Sequence, residues 1–301
     1  MSDVGFEGRV AIITGAGGGL GRQHALLLAS RGAQIVVNDL GGAVDGTGAS
    51  AGPAQQVVEE IEALGGVAVA DGNSVAAPEG ADAIVKTAID AFGRVDIVIN
   101  NAGILRDKSF ANMTQDLWDA VIAVHLTGAF NVTRAAWPHL REQAYGRIVS
   151  TSSAAGIFGN FGQANYGAAK MGIVGLTRVW AQEGGKYNIR ANAIAPVART
   201  RMTEEILGPL VEKVDPALVS PVVAYLASEE CPVNGEIYSV GGGRVSRIFI
   251  AEAPGFFKKD LTLEDVRDNF DAIRAEADYL IPTSANMEIA MLMPFLSDEE
   301  K

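Results

Sequence analysis

Cysteine is almost missing from the chain: among 301 residues there is one, Cys231. No intrachain disulfide can form, which suits a reducing compartment and leaves the fold to core packing. Basic residues are scarce too, 24 Lys and Arg against 36 Asp and Glu, for a net charge of −12. Phosphate binding needs a basic surface, so nucleic acid is not an expected partner. Long apolar runs are lacking. Ile148 to Ala169 carries no charge, yet Gly156, Gly159, Asn160, Gly162, Gln163 and Asn165 interrupt it. A spanning helix needs about 20 predominantly apolar residues, so this run reads as protein interior and no membrane span is predicted. Met1–Arg9 shows no basic region ahead of an apolar one, and Ser297–Lys301 reads as a solvated tail, not a Ser-Lys-Leu-type address. The expectation is a cytoplasmic protein without a secretory leader or peroxisomal signal. No metal site is predicted.

Glycine, in contrast, is plentiful at 35 residues, well above the roughly 7% of average usage. Without a collagen period it marks tight turns and close backbone approaches. Short apolar runs, Val10–Ile13, Gln34–Asn38, Val67–Ala70 and Ile97–Ile99, alternate with helical patterns through Ala25–Ala29, Pro53–Leu64 and Ala81–Phe92. Uniformly apolar strands separated by helices indicate parallel strands covered on both faces. Longer helices are expected near Thr114–Leu140 and Tyr166–Gly184, with strands at Arg147–Ser150 and Arg190–Ile194. A helix at Pro216–Ala227 and a strand at Glu236–Val240 complete the pattern. The fold class is α/β, a Rossmann-type doubly wound parallel sheet in a single domain over residues 1–250. Residues 251–301 form a C-terminal extension, too short to hold a core of its own and expected to dock. Near it, Arg247–Ala251 reads as a strand. Thr262-Leu-Glu-Asp265 reads as a helix start, with Val266, Phe270 and Ile273 on one face.

The first strand runs into Thr14-Gly15-Ala-Gly17-Gly18-Gly19-Leu20-Gly21 and then a helix. Backbone N–H groups at such a helix start meet a pyrophosphate, and glycine lets the backbone approach it. Asp39 ends the second strand eighteen residues after Gly21, where a carboxylate accepts from ribose hydroxyls and repels a 2′-phosphate. No basic residue directly follows Asp39, and Arg22 is expected to face solvent or a helix neighbour. The cofactor expected is NAD, not NADP.

Tyr166 and Lys170 stand four apart, on one helical face. A phenol ionises near pH 10. A neighbouring ammonium, with the positive charge of the nicotinamide ring, would favour the phenolate and make it a base for an alcohol proton.

The Thr-Gly-x-x-x-Gly-x-Gly pattern at 14–21 resembles the short-chain dehydrogenase/reductase family, and the likeness extends over about residues 7–243. It implies cofactor contacts from Gly15, Gly19, Leu20 and Gly21, and from Asn101, Ala102 and Gly103 in the motif Asn100-Asn-Ala-Gly103. Asn73, Ser74 and Val75 occupy the adenine-contact segment, with Asn73 where the family usually has Asp. Ser153, thirteen residues before Tyr166, matches the substrate-orienting serine; Ser152 is the neighbouring contender. Lys170 would also donate to the nicotinamide ribose. His125 stands where the family usually carries Asn, either as a buried structural residue or as a proton carrier. Pro196 and Thr200 lie in Ala195-Pro-Val-Ala-Arg-Thr200, and Thr200 would hold the nicotinamide carboxamide. Arg199 and Arg201 are either solvated or placed to meet an anionic substrate.

Asn38–Gly42, Asn101–Asp107, Val124–Leu126, Thr133–Trp137 and Gly159–Tyr166 resemble most the (3R)-hydroxyacyl-CoA dehydrogenase branch found in peroxisomal multifunctional enzymes. That likeness implies oxidation of an acyl-CoA or steroid-CoA alcohol to a ketone. The short stretch between Pro196 and Asp215 suits an open cleft. Alternatives are a 17β-hydroxysteroid dehydrogenase acting on free steroids and a non-catalytic NAD-binding scaffold. The family implies a homodimer or homotetramer.

Overall fold

β1 (Val10–Thr14), β4 (Ile97–Asn100) and β5 (Gly146–Thr151) are buried along their whole length. Such runs survive only inside a sheet covered on both faces. A computed structural model describes residues 3–200 and 208–296. Its sheet runs β3-β2-β1-β4-β5-β6-β7-β8, with β2 Gln34–Asn38, β3 Val67–Asp71, β6 Ile189–Pro196, β7 Ile237–Gly241 and β8 Arg244–Ile248. β1 pairs in parallel with β2 on one side and β4 on the other. The chain thus moves outward from β1 to β3, then returns to build the other half. The crevice at that reversal is where such sheets bind ligands.

Alternate residues of β1 feed two cores. Ala11 and Ile13 pack with Leu28 of α1 (Gly19–Ser30), Val57 and Ile61 of α2 (Gly52–Ala63) and Val223 of a later helix, Ser220–Ala227. Val10 and Ile12 pack on the other face with Ile84 and Val85 of α3 (Pro78–Phe92).

Three elements depart from expectation. The helix expected over Thr114–Leu140 is α4 (Gln115–Ile122) and α5 (Gly128–Glu142), joined through a π-helical segment, Ala123–Thr127. The apolar periodicity continues on both sides, so it does not reveal the wider turn. The strand expected at Arg247–Ala251 begins earlier, at Arg244. Gly242 and Gly243, at φ +55° and +81°, reverse the chain directly after β7, a conformation glycine adopts without steric penalty. Lastly, Val266, Phe270 and Ile273 do not share one helix. The helix Leu263–Asp268 stops at Asn269, whose amide donates to the Asp265 carbonyl at 2.8 Å, and Phe270–Ile273 is a separate turn. The expected start is present, with Thr262 and Asp265 capping each other reciprocally.

The chain divides into two units, Met1–Arg247 and Ile248–Lys301. Within the second, Phe249 stacks on Tyr279 at 5.9 Å and Phe257 on Phe295 at 5.1 Å. Among the described residues no helix is long and apolar enough to cross a membrane, and no cluster of His, Cys, Asp or Glu could hold a metal. The tail Ser297–Lys301 lies outside them.

His24 of α1 is buried, with Nδ1 2.8 Å from the Ser220 hydroxyl and Nε2 without a partner. Burial pushes its pKa down to about 3. The unfolded imidazole takes a proton near pH 6.5 while the folded one refuses it, so stability is lost as pH falls from there toward 3. Between pH 7 and 4.5 this site should remove about 2.5 kcal/mol. Denaturant midpoints at both pH values check this: His24→Leu should lose that share of the pH dependence, and an unaltered dependence would contradict it.

Candidate active site

A cleft of about 690 Å³ opens at the crevice. Its floor is the loop after β1. Gly15 lies at φ +65°, and a Cβ there would sit 2.8 Å from the Ala102 backbone. A Cβ at Gly21 would come within 2.3 Å of the Gly15 carbonyl, so side chains are excluded at both positions. Asn101 holds this loop: its amide donates to the carbonyls of Thr14 at 3.0 Å and Gly15 at 3.1 Å. The Thr14 hydroxyl accepts from the N–H groups of Asn101 and Ala102, both at 3.0 Å. No side chain caps the start of α1 and no acidic residue lies in its first turn. The N–H groups at Gly19 and Leu20 therefore present a fixed, positive surface for phosphate oxygens.

Asp39 lies beside this loop. Its carboxylate accepts from the N–H of Gly17 at 2.8 Å and of Gly41 at 2.6 Å, and it keeps acceptor capacity toward the cleft. Arg22 turns away and pairs with Glu60. Behind Asp39 lies a residue the sequence reading overlooked. Asp71, buried at the end of β3, accepts from the side chains of Asn38 (2.7 Å), Asn73 (2.8 Å) and Thr87 (2.8 Å). The side-chain amide of Asn73 is thus engaged by Asp71, although the residue still lines the cleft with Ser74 and Val75. A lone acid closing an otherwise apolar strand was the available signal.

The substrate half is built by β5 and α7 (Ala164–Gly184). Ser153 caps the short helix α6 (Ala154–Phe158), accepting from the Ala155 N–H at 3.2 Å. Its hydroxyl lowers the pKa of the Tyr166 phenol, against the effect of burial. Ser152 points away and donates to the Lys170 carbonyl at 2.8 Å, which separates the two contenders. Lys170 is buried, its Nζ donating to the Thr151 carbonyl at 2.6 Å, and burial pulls its pKa down to about 7.

Lys170 Nζ lies 5.3 Å from the Tyr166 ring centre, and the phenol is pushed above its ordinary value, first by burial and then by Asp107, against a lowering effect of the Ser153 hydroxyl. Burial disfavours the charged phenolate, which is the largest cause of the rise.

His125, in the π-helical segment, is 3% exposed and meets Tyr166 edge-on, with centroids 5.1 Å apart. Its Nε2 lies 3.0 Å from the Ile104 nitrogen and 2.8 Å from the Ile104 oxygen. A Cβ at residue 103 would strike the imidazole at 2.4 Å, so Gly103 makes room for it. Burial, then Lys170, hold its pKa well below the usual histidine value, so the ring is neutral at pH 7. This geometry favours a supporting part for His125 over proton carriage.

Pro196 ends β6, and Thr200 faces the glycine loop across the cleft, 3.6 Å from where a Cβ on Gly19 would lie. Arg199 pairs with Glu212 at 3.3 Å. Arg201, with part of the expected lid between Pro196 and Asp215, lies outside the described residues. Every site residue expected from the sequence lines this one cleft except Gly21, which packs behind the loop.

Known proteins agree with this picture. The short chain dehydrogenase family model matches residues 9–208. A short-chain type dehydrogenase/reductase of Mycobacterium tuberculosis is 57% identical over 87% of this chain and 92% of its own. The hydroxyacyl-CoA dehydrogenase ChsB1 of the same organism is 42% identical over 81% of this chain and 80% of its own. Among solved structures, full-length peroxisomal multifunctional enzyme type 2 of Drosophila melanogaster superposes with a TM-score of 0.81 and 36% identity. The match covers 97% of this chain and 50% of the fly protein. The chain spans 65% or less of several multifunctional relatives that it matches. With the fold, the glycine loop and the Tyr166–Lys170 helix in place, this chain belongs to the short-chain dehydrogenase/reductase family.

Proposed function

We propose that the protein is an NAD-dependent dehydrogenase that oxidises a (3R)-hydroxyacyl-CoA to the 3-ketoacyl-CoA. The observation that carries this reading is the convergence of Ser153, Tyr166 and Lys170 in a cleft whose far end holds the braced carboxylate of Asp39. The residues fit the dinucleotide. Gly15, Gly19 and Leu20 would receive its phosphates, Asp39 its adenosine ribose, Asn73–Val75 its adenine, and Asn101–Gly103, Lys170, Pro196 and Thr200 its nicotinamide end. When bound, NAD supplies the acceptor for the hydride leaving the alcohol carbon.

Tyr166 takes the hydroxyl proton, and the Ser153 hydroxyl donates to the oxygen on which negative charge develops. Lys170, held on the Thr151 carbonyl, places its amine behind the phenol, 5.3 Å from the ring centre. The pocket alone holds the phenol protonated, so positive charge brought by the cofactor would complete the base. Neutral His125 braces the Tyr166 ring.

The likeness to the hydroxyacyl-CoA dehydrogenase ChsB1 favours an acyl-CoA over a free steroid. A non-catalytic scaffold would have no use for a buried lysine at about 7 set 5.3 Å from the Tyr166 ring centre. A cytoplasmic homodimer or homotetramer belongs to the same reading.

NADH formation tests it against (3R)- and (3S)-hydroxyacyl-CoA, steroid-CoA compounds and free hydroxysteroids. The (3R) series should exceed the (3S) series in kcat/KM by about 100-fold or more, the effect of about 2.7 kcal/mol between transition states. Preference for the (3S) series or for free steroids would overturn the assignment.

A further inference from the structure

The residue before Tyr166 is fully buried and uses its whole side-chain amide. Asn165, 0% exposed, donates through Nδ2 to the carbonyls of Arg106 and Leu117, both at 3.0 Å. Its Oδ1 accepts from the N–H of Tyr166 at 2.7 Å. Two carbonyls on one side and an N–H on the other permit a single amide orientation, and no isosteric apolar or acidic side chain supplies both halves.

The location gives these bonds their meaning. The first N–H groups of a helix have no partner within it, and the cap position of α7, Gln163, offers no side-chain bond. Asn165 satisfies the one that belongs to Tyr166. Its other two bonds reach the segment after β4 and helix α4, so three elements meet at one amide beneath the reactive phenol.

The latch extends further. The Lys108 N–H donates to the Gly162 carbonyl at 2.8 Å, and Gln163 donates to Asp107 at 2.7 Å. Arg106 in turn donates through Nε to the carbonyl of Asp45, in the loop after β2. The wall of the substrate half is thereby tied to the turn that carries Tyr166.

We propose that Asn165 is a positioning residue for Tyr166, fixing the first turn of α7 against Arg106 and Leu117 and so setting where the phenol oxygen meets the substrate. The inference rests on Tyr166 being the proton carrier. A displacement of about 1 Å in a reacting group lowers rate by up to about 100-fold without loss of binding. Asn165→Ala should therefore lower kcat about 30-fold, with KM for a hydroxyacyl-CoA and Kd for NAD within about threefold of the natural chain.

Asn192 provides the control. It is equally buried and also bonded at both ends of its amide, to the Val233 carbonyl at 3.1 Å and the Glu236 N–H at 3.0 Å, and it does not line the cleft. Asn192→Ala should lower Tm and keep kcat. If Asn165→Ala does not fold, Asn165→Ser serves: its short neutral hydroxyl cannot meet both carbonyls and the Tyr166 N–H together, and it should show the same selective fall in kcat. A folded Asn165 variant with unaltered kcat, or with a loss confined to KM, overturns the proposal. If Tyr166→Phe retains full turnover, the catalytic reading itself fails, a result that Asn165 variants cannot imitate.

Discussion

Tyr166→Phe should lower turnover by about 10² to 10⁴-fold, the range attributable to a positioned general acid or base, while NAD still binds. The substitution deletes only the hydroxyl. The edge-on contact with His125 needs the ring alone, and Lys170 keeps its bond to the Thr151 carbonyl. The glycine loop and Asp39 are untouched, so Kd for NAD, read by fluorescence, should stay within a few-fold. The sign of the pH effect also follows. Burial raises the phenol, so oxidation by the natural chain should climb with pH as Tyr166 deprotonates. The residual rate of the variant should lose that limb. Turnover within threefold of the natural chain would remove Tyr166 from the mechanism.

Asp39→Ala should produce the second large effect, on cofactor choice. The carboxylate holds two backbone N–H groups, at Gly17 and Gly41, and would also accept from the adenosine ribose. Hydrogen bonds to a charged group contribute about 1.5–3 kcal/mol each. Affinity for NAD should accordingly fall roughly 30- to 100-fold. NADP, whose 2′-phosphate the carboxylate repels, should lose less, so the preference between the two narrows. Rates at saturating NAD should remain near those of the natural chain, because Asp39 lies away from Ser153 and Tyr166. An unchanged KM for NAD, or equal use of NADP by the natural protein, would contradict the assignment.

Local pattern carried much of this site. Val10–Ile13, the glycines after them and Asp39 are legible because strand, turn and helix start follow one another without a gap. Tyr166 and Lys170 are legible because four residues make about one helical turn. What escaped depends on residues brought together from far apart. The Asp71 knot joins Asn38, Asn73 and Thr87 from three segments, and no spacing rule connects them. Ser153 is picked out by its spacing to Tyr166, and the capping of α6 with the Ser152 bond to Lys170 adds the directions of the two side chains. The protonation of Tyr166 depended on burial, which a count of neighbouring charges leaves out. In the extension, the capping box was local and readable, but the break at Asn269 came from a side chain returning to its own backbone.

The π-helical segment between Ile122 and Gly128 has a consequence for how such chains compare. A π turn accommodates a residue more than an α turn does, and each residue of an α-helix rotates the next side chain by about 100°. A chain shorter by one residue here would make an equally continuous helix, yet present another side chain to Tyr166. The imidazole owes its place to the wider turn as much as to being histidine.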